Sequence, residues 1–139
     1  MLSESGRIQD YFPSRAKRAN IQVGDCVAIQ RFVGSSHNGP AYVYYEPLRV
    51  VQVFPRWVNV KDSRGDIFAP TKSNLYVIPE EEVLLCEKTQ IKAEQVQYIC
   101  EVFKLSKEQT QRLFELPFEK ATAVYKAARL MADELEMEE

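Results

Sequence analysis

The stretch from Ile21 to Pro79 constrains the fold most. It is too broken for long helices. Short runs rich in Val, Ile, Tyr and Phe alternate with turn formers at Gly24-Asp25, at residues 34–40, at residues 63–66 and at Pro70. Such runs between such breaks predict strands. In residues 21–32, Val23, Val27 and Ile29 fall near one face and Cys26, Ala28 and Gln30 on the other, which predicts a first strand. Residues 33–48 read as a long loop that carries Tyr42, Tyr44 and Tyr45. Residues 49–54 and 56–62 read as the second and third strands. Ser63-Arg64-Gly65-Asp66 reads as a tight hairpin turn, with Gly65 suited to positive φ. Residues 66–69 give a fourth strand, residues 70–74 a single 3₁₀-like turn, and residues 75–78 a fifth strand.

Five short strands, a long first loop, a tight third-to-fourth turn and one helical turn before the last strand resemble an SH3-like barrel. Short closed barrels solve the edge-strand problem in few residues. The stretch is also similar to the C-terminal SH3-like domain of retroelement integrases. The matching residues are Val23-Gly24-Asp25, Val50-Val51-Gln52-Val53, Val58, Val60, Asp62, Gly65 and Asn74-Leu75-Tyr76-Val77-Ile78-Pro79. They encode strand and turn geometry, so the resemblance implies a fold and not DNA joining.

Residues 1–20 have no regular period and read as a flexible basic arm, with four basic side chains against two acidic. Ile8, Tyr11 and Phe12 form an i, i+3, i+4 set that one helical turn would place on one side. With the preceding Ser5 and the following Arg15, Lys17 and Arg18, the set resembles a PCNA-interacting peptide (PIP) box. That resemblance implies docking on a sliding clamp. Ile8 would be the aliphatic plug and Tyr11 and Phe12 the aromatic pair, while Arg15, Lys17 and Arg18 would meet an acidic surface. Ser5 stands where the family prefers Gln. The alternative is that the apolar knot folds back on the barrel.

After the barrel, residues 80–89 read as a linker whose Val83, Leu84 and Leu85 pack on the barrel. Residues 90–136 read as a three-helix unit, and residues 137–139 as an acidic tail. Val96, Ile99, Cys100 and Phe103 mark one face of the first helix. Ser106-Lys107-Glu108-Gln109 is a capping-box pattern that opens the second. Pro117 suits the first turn of the third, in which Phe118, Ala121, Val124, Ala128, Met131 and Leu135 are expected to face inward. Residues 99–110 resemble a helix-turn-helix. Cys100 supplies its small residue, Lys104 stands where Gly is usual, and Thr110 supplies its β-branched residue. The resemblance implies that Lys107, Gln109, Gln111 and Arg112 face a groove of DNA. The acidic balance of this half, seven basic against ten acidic side chains over residues 90–139, argues for an interaction bundle instead.

With 139 residues the chain makes one domain or two very small ones. A net charge of −2 gives no global attraction to nucleic acid. No apolar run reaches transmembrane length and no secretory signal opens the chain, so no membrane association is expected. Cys26, Cys86 and Cys100, odd in number and widely spaced, predict reduced thiols in a cytoplasmic or nuclear compartment.

No metal-ligand spacing or phosphate loop is present, so no cofactor and no metal are expected. His37, the single histidine, lies in a Gly/Ser/Asn loop and reads as solvated, so no enzyme is expected. The better candidate is an aromatic, basic surface. Val58 and Val60 take the core face of the third strand, so Trp57, Asn59 and Lys61 point outward next to Arg56. With Tyr42, Tyr44 and Tyr45 they would line one groove, stacking on bases and neutralising phosphates. The same aromatics suit a Pro-rich peptide.

The sequence thus predicts a non-enzymatic adaptor in DNA transactions with a protein partner, a sliding clamp, and nucleic acid or a peptide on the barrel. The alternative is a structural or assembly subunit of a virus or mobile element, acting by protein-protein contacts.

Overall fold

The structure, a computed structural model, describes residues 7–13, 20–34 and 41–136. The fold is α+β. Its strands are β1 (Arg7–Gln9), β2 (Cys26–Val33), β3 (Ala41–Val53), β4 (Val58–Lys61), β5 (Ile67–Phe68) and β6 (Leu75–Val77). Its helices are α1 (Glu80–Phe103), α2 (Lys107–Glu115) and α3 (Phe118–Glu134), and a 3₁₀ turn (Lys72–Asn74) precedes β6. The sheet is an open path, β5-β4-β3-β2-β6, with β1 paired to β3 off that path. Among the described residues six strands replace the expected five because Arg7–Gln9 adds one. Among the described residues no pairing joins β5 to β6 to close the sheet.

The described residues fall into two compact units, neither contiguous in sequence. One gathers those of Met1–Asp10, Phe32–Val43 and Lys88–Glu139; the other gathers those of Tyr11–Arg31 and Tyr44–Glu87. The chain therefore does not divide into a barrel followed by a helical unit.

The second unit holds the apolar core of the sheet. Val27, Leu48, Val50, Val58, Val60, Leu75 and Val77 are buried together, with Ile21, Ile29, Val53 and Phe68 packed against them. β4 alternates as expected, with Val58 and Val60 fully buried and Asn59 and Lys61 outside. β2 does not alternate at its start, where Cys26, Val27 and Ala28 are all buried. Val23 lies before β2 in a turn and is 65% exposed, so it is not part of the core face. Gly24, at φ +93°, makes that turn. Gly24 N–H donates to the Val50 carbonyl at 2.8 Å, and Asp25 Oδ2 accepts from Gln22 N–H at 2.8 Å.

Residues 41–48 are strand, not loop. Ala-Tyr-Val-Tyr-Tyr is β-branched and aromatic, and the strand carries through Pro47 to a bulge between Val50 and Gln52. The predicted turn at residues 63–66 forms. Asp62 Oδ1 accepts from the N–H groups of Arg64 and Asp66, both at 2.9 Å, and Gly65 sits at φ +89°.

Residues 80–89 are not a linker but the first turns of α1. Three glutamates, Glu80, Glu81 and Glu82, occupy its first turn, where the helix dipole favours negative charge, and no Gly or Pro interrupts it before Phe103. Cys86 and Thr89 are the residues it buries there; Leu84 and Leu85 are exposed.

The first unit is built around a polar hub. β1 runs parallel to the start of β3, with Ile8 opposite Tyr42 and both fully buried. The Tyr42 hydroxyl donates to Asp10 at 2.8 Å, and its ring stacks on Phe114 with centroids 4.8 Å apart. Lys92, almost wholly buried, donates to Asp10 Oδ2 and to the Leu116 carbonyl, each at 2.6 Å. That ammonium meets the negative end of α2 and helps to end the helix before Pro117. At the other end the expected capping box forms: Gln109 N–H donates to Ser106 Oγ, and Ser106 N–H to Gln109 Oε1.

α3 buries Ala121, Ala128 and Ala132, a narrow alanine face. Val124, Met131 and Leu135, expected inside, are exposed. Small side chains let a neighbouring backbone approach closely, and here they win over the larger apolar residues one step round the helix. Tyr98 and Tyr125 meet edge to face across α1 and α3, with Arg129 over the Tyr98 ring.

Candidate functional site

The outer face of the β3–β4 hairpin is the best-formed candidate surface, and it lies wholly within the second unit. Pro55 and Arg56 make a two-residue loop, closed by Phe54 N–H donating to the Trp57 carbonyl at 2.9 Å. This sets Phe54 and Trp57 opposite each other, so their rings stack at 5.1 Å and 24°. Trp57 keeps 44% of its surface in solvent. Along β4 the same face carries Asn59 and Lys61, and across the ladder they meet Gln52 and Arg49. Asn59 donates to Gln52 Oε1 at 3.0 Å, which fixes both amides. Arg49 and Lys61 are like charges in register. Glu80, 2.8 Å from Arg49, relieves that repulsion, and its carboxyl is held below the usual carboxylate range by Arg49 first and Cys26 second.

A groove of about 590 Å³ opens beside Trp57, lined by residues 20–22, 55–56 and 71–73. The backbone holds its walls together. Trp57 pairs with Thr71 in a single antiparallel bridge, and Lys72 N–H donates to the Arg56 carbonyl at 3.0 Å. The sequence hid this groove, because its walls come from three distant segments.

The expected tyrosines do not join this face. Tyr42 and Tyr45 are fully buried and present no ring to a ligand; Tyr44 is half-buried. Burial and the Asp10 carboxylate both push the Tyr42 hydroxyl far above the ordinary tyrosine range. Tyr45 is the centre of an aromatic cluster, edge to face with Tyr11 at 5.8 Å and with Tyr76 at 5.5 Å, and its hydroxyl accepts from Gln30. Phe12 tilts over Tyr45 at 6.3 Å and is 68% exposed.

Residues 7–9 are strand, so the helical turn expected for Ile8, Tyr11 and Phe12 does not form there. Ile8 is buried in its own unit. The Tyr11 hydroxyl donates to Glu82, and burial first, then that bond, raise its pKa. Ser5, Arg15, Lys17, Arg18 and His37 lie outside the described residues.

On the helices, Cys100 Sγ and Thr110 Oγ1 are 3.3 Å apart, and Lys104 between them takes φ +52°, the conformation that Gly fills most easily. Of the four residues expected to face a DNA groove, Lys107, Gln109 and Arg112 are exposed. Gln109 is engaged in the capping box, and Gln111 reaches Glu115. Among the described residues the three cysteines form no disulfide, and burial raises all three pKa values, Cys26 and Cys86 to about 11. No helix of the described residues is long and apolar enough to cross a membrane. No protein-family model matches the chain, and neither a curated protein nor a solved structure matches it.

Proposed function

We propose that the protein is a non-enzymatic adaptor in DNA transactions whose sheet contacts a single nucleic-acid strand through Trp57. The carrying observation is the exposed Trp57 ring, backed by Phe54, next to Arg56 in the chain and bridged to Thr71, the neighbour of Lys72, with Lys61 at the far end of β4. An aromatic platform beside cations suits a stacked base and its phosphate, with or without sequence preference. The sheet is read as an SH3-like barrel. Support comes from the β5-β4-β3-β2-β6 order, the 3₁₀ turn before β6 and the Trp57–Thr71 bridge. Clamp docking through the arm stays part of this reading only with β1 released from β3, since Ile8 is fully buried.

Trp57 is the single tryptophan, so its own fluorescence reports stacking. Titration with a twelve-residue oligodeoxythymidine at 50 mM salt is expected to quench it, and Trp57→Ala to weaken binding about tenfold or more. No quenching, or equal affinity in the variant, would refute the reading. Quenching by a Pro-rich peptide alone would make the face a peptide site.

A second reading, an assembly subunit working by protein-protein contacts, is favoured by Val124, Met131 and Leu135, exposed along one side of α3 at i, i+7 and i+11. Sedimentation decides: a stable homo-oligomer that Met131→Glu dissociates supports it.

A further inference from the structure

We infer that the groove beside Trp57 is a phosphodiester site, holding the backbone of the strand whose base stacks on that ring. The inference rests on the Trp57 reading and adds to it where the sugar-phosphate chain runs.

Four observations carry it. The groove, about 590 Å³, is of nucleotide size. Its lining includes two cations, Arg56 and Lys72, and, among the described residues, no acidic side chain. The remaining polar groups are two hydroxyls, Thr71 and Ser73, and two amides, Asn20 and Gln22. All of these can donate hydrogen bonds to phosphate oxygens, while no carboxylate among the described lining residues repels them. The cations also differ in use. Arg56 is exposed and offers a planar fork for two phosphate oxygens; Lys72 is half-buried and offers a point charge.

The position is set by the backbone rather than by the side chains. Arg56 is adjacent to Trp57 in the hairpin, and Thr71 is bridged to Trp57 directly. A base on Trp57 therefore has its own phosphate within reach of the groove. Lys61 lies further along β4 from Trp57, past Asn59, so it would serve the next phosphate and not this one.

The test follows binding of a fluorescein-labelled twelve-residue oligodeoxythymidine to the full chain by anisotropy, from 50 to 200 mM salt. Variants are Arg56→Gln, Lys72→Gln, Lys72→Arg and, as a control on the 63–66 turn, Arg64→Gln. Arg56→Gln and Lys72→Gln are each expected to weaken binding and to reduce the log–log salt slope by about 0.7, one released counterion from a single strand. Lys72→Arg should restore the slope, and Arg64→Gln should leave it alone. Amide shifts of Thr71, Lys72 and Ser73 on adding deoxythymidine 5′-monophosphate provide a readout that needs no variant.

If the oligonucleotide binds and quenches Trp57 but the slope survives in both Gln variants, the groove is not the phosphate site. The Trp57 reading then stands alone. If the slope changes but Trp57→Ala is silent, the groove binds phosphate and the stacking platform is wrong. If neither probe binds at 50 mM salt, both fall.

Discussion

Lys92 Nζ lies 2.6 Å from Asp10 Oδ2, yet the two are unequally buried, with 1% of the lysine side chain exposed and 34% of the aspartate. That inequality predicts unequal consequences. Asp10→Ala leaves a buried ammonium without its counter-ion and costs about 3 kcal/mol or more. Lys92→Met leaves a carboxylate that water still reaches and one carbonyl short of a donor, for about 1–2 kcal/mol. Urea denaturation of both variants gives the ranking, and the reverse order would contradict the account of the hub.

Lys104 occupies the left-handed region at the turn between α1 and α2. A side chain there costs about 1–2 kcal/mol, and glycine removes that cost while adding freedom to the unfolded chain. Lys104→Gly is therefore expected to stabilise the protein by about 0.5–1 kcal/mol, read as a higher urea midpoint at unchanged slope. A loss of stability would mean that the lysine stem makes contacts that outweigh the strain.

Val27 and Val23 are identical residues four positions apart with opposite fates. Val27 is fully buried and Val23 is 65% exposed. Val27→Ala should cost about 2 kcal/mol through lost burial and a small cavity. Val23→Ala should stay within about 0.5 kcal/mol. Thermal unfolding separates them, and similar losses would place Val23 in a core after all.

The thiols should be inert. With Cys26 and Cys86 raised to about 11 by burial, almost no thiolate is present at pH 8. Iodoacetamide should label both at least a hundredfold more slowly in the native protein than in urea. The sign for stability follows. Between pH 9 and 11 the unfolded thiols have lost their protons while the folded ones keep them, so unfolding releases protons and stability falls as pH rises. A flat profile across that window would show that the two thiols are not shielded as described.

Local signals in the sequence were read well, and tertiary ones were not. Gly65 in its turn, the 3₁₀ turn before the last strand, the Ser106–Gln109 capping box and the break at Pro117 are decided by neighbours within a few residues. Sequence shows such neighbours directly. Tyr42 and Tyr45 followed turn formers and so looked like loop residues, but β3 gathers partners from far along the chain. In α3 a single inward face was expected to hold Ala121, Ala128, Val124, Met131 and Leu135 together; packing kept the alanines and left Val124, Met131 and Leu135 outside. The outward direction of Trp57 and Lys61 is legible in the sequence because strand alternation is a local rule. The groove beside them was not, since residues 20–22, 55–56 and 71–73 become neighbours only in the fold.

The hub has one more consequence, set by the direction of synthesis. Asp10 leaves the ribosome 82 residues ahead of Lys92, and Tyr42 well ahead of Phe114. The unit drawn from Tyr11–Arg31 and Tyr44–Glu87 has all its sequence once Glu87 is out. The other cannot close its hub until Lys92, Phe114 and Leu116 have followed. Until then a nascent chain holds Tyr42 without the ring that stacks on it and Asp10 without its counter-ion, an exposed apolar surface that order of synthesis alone imposes.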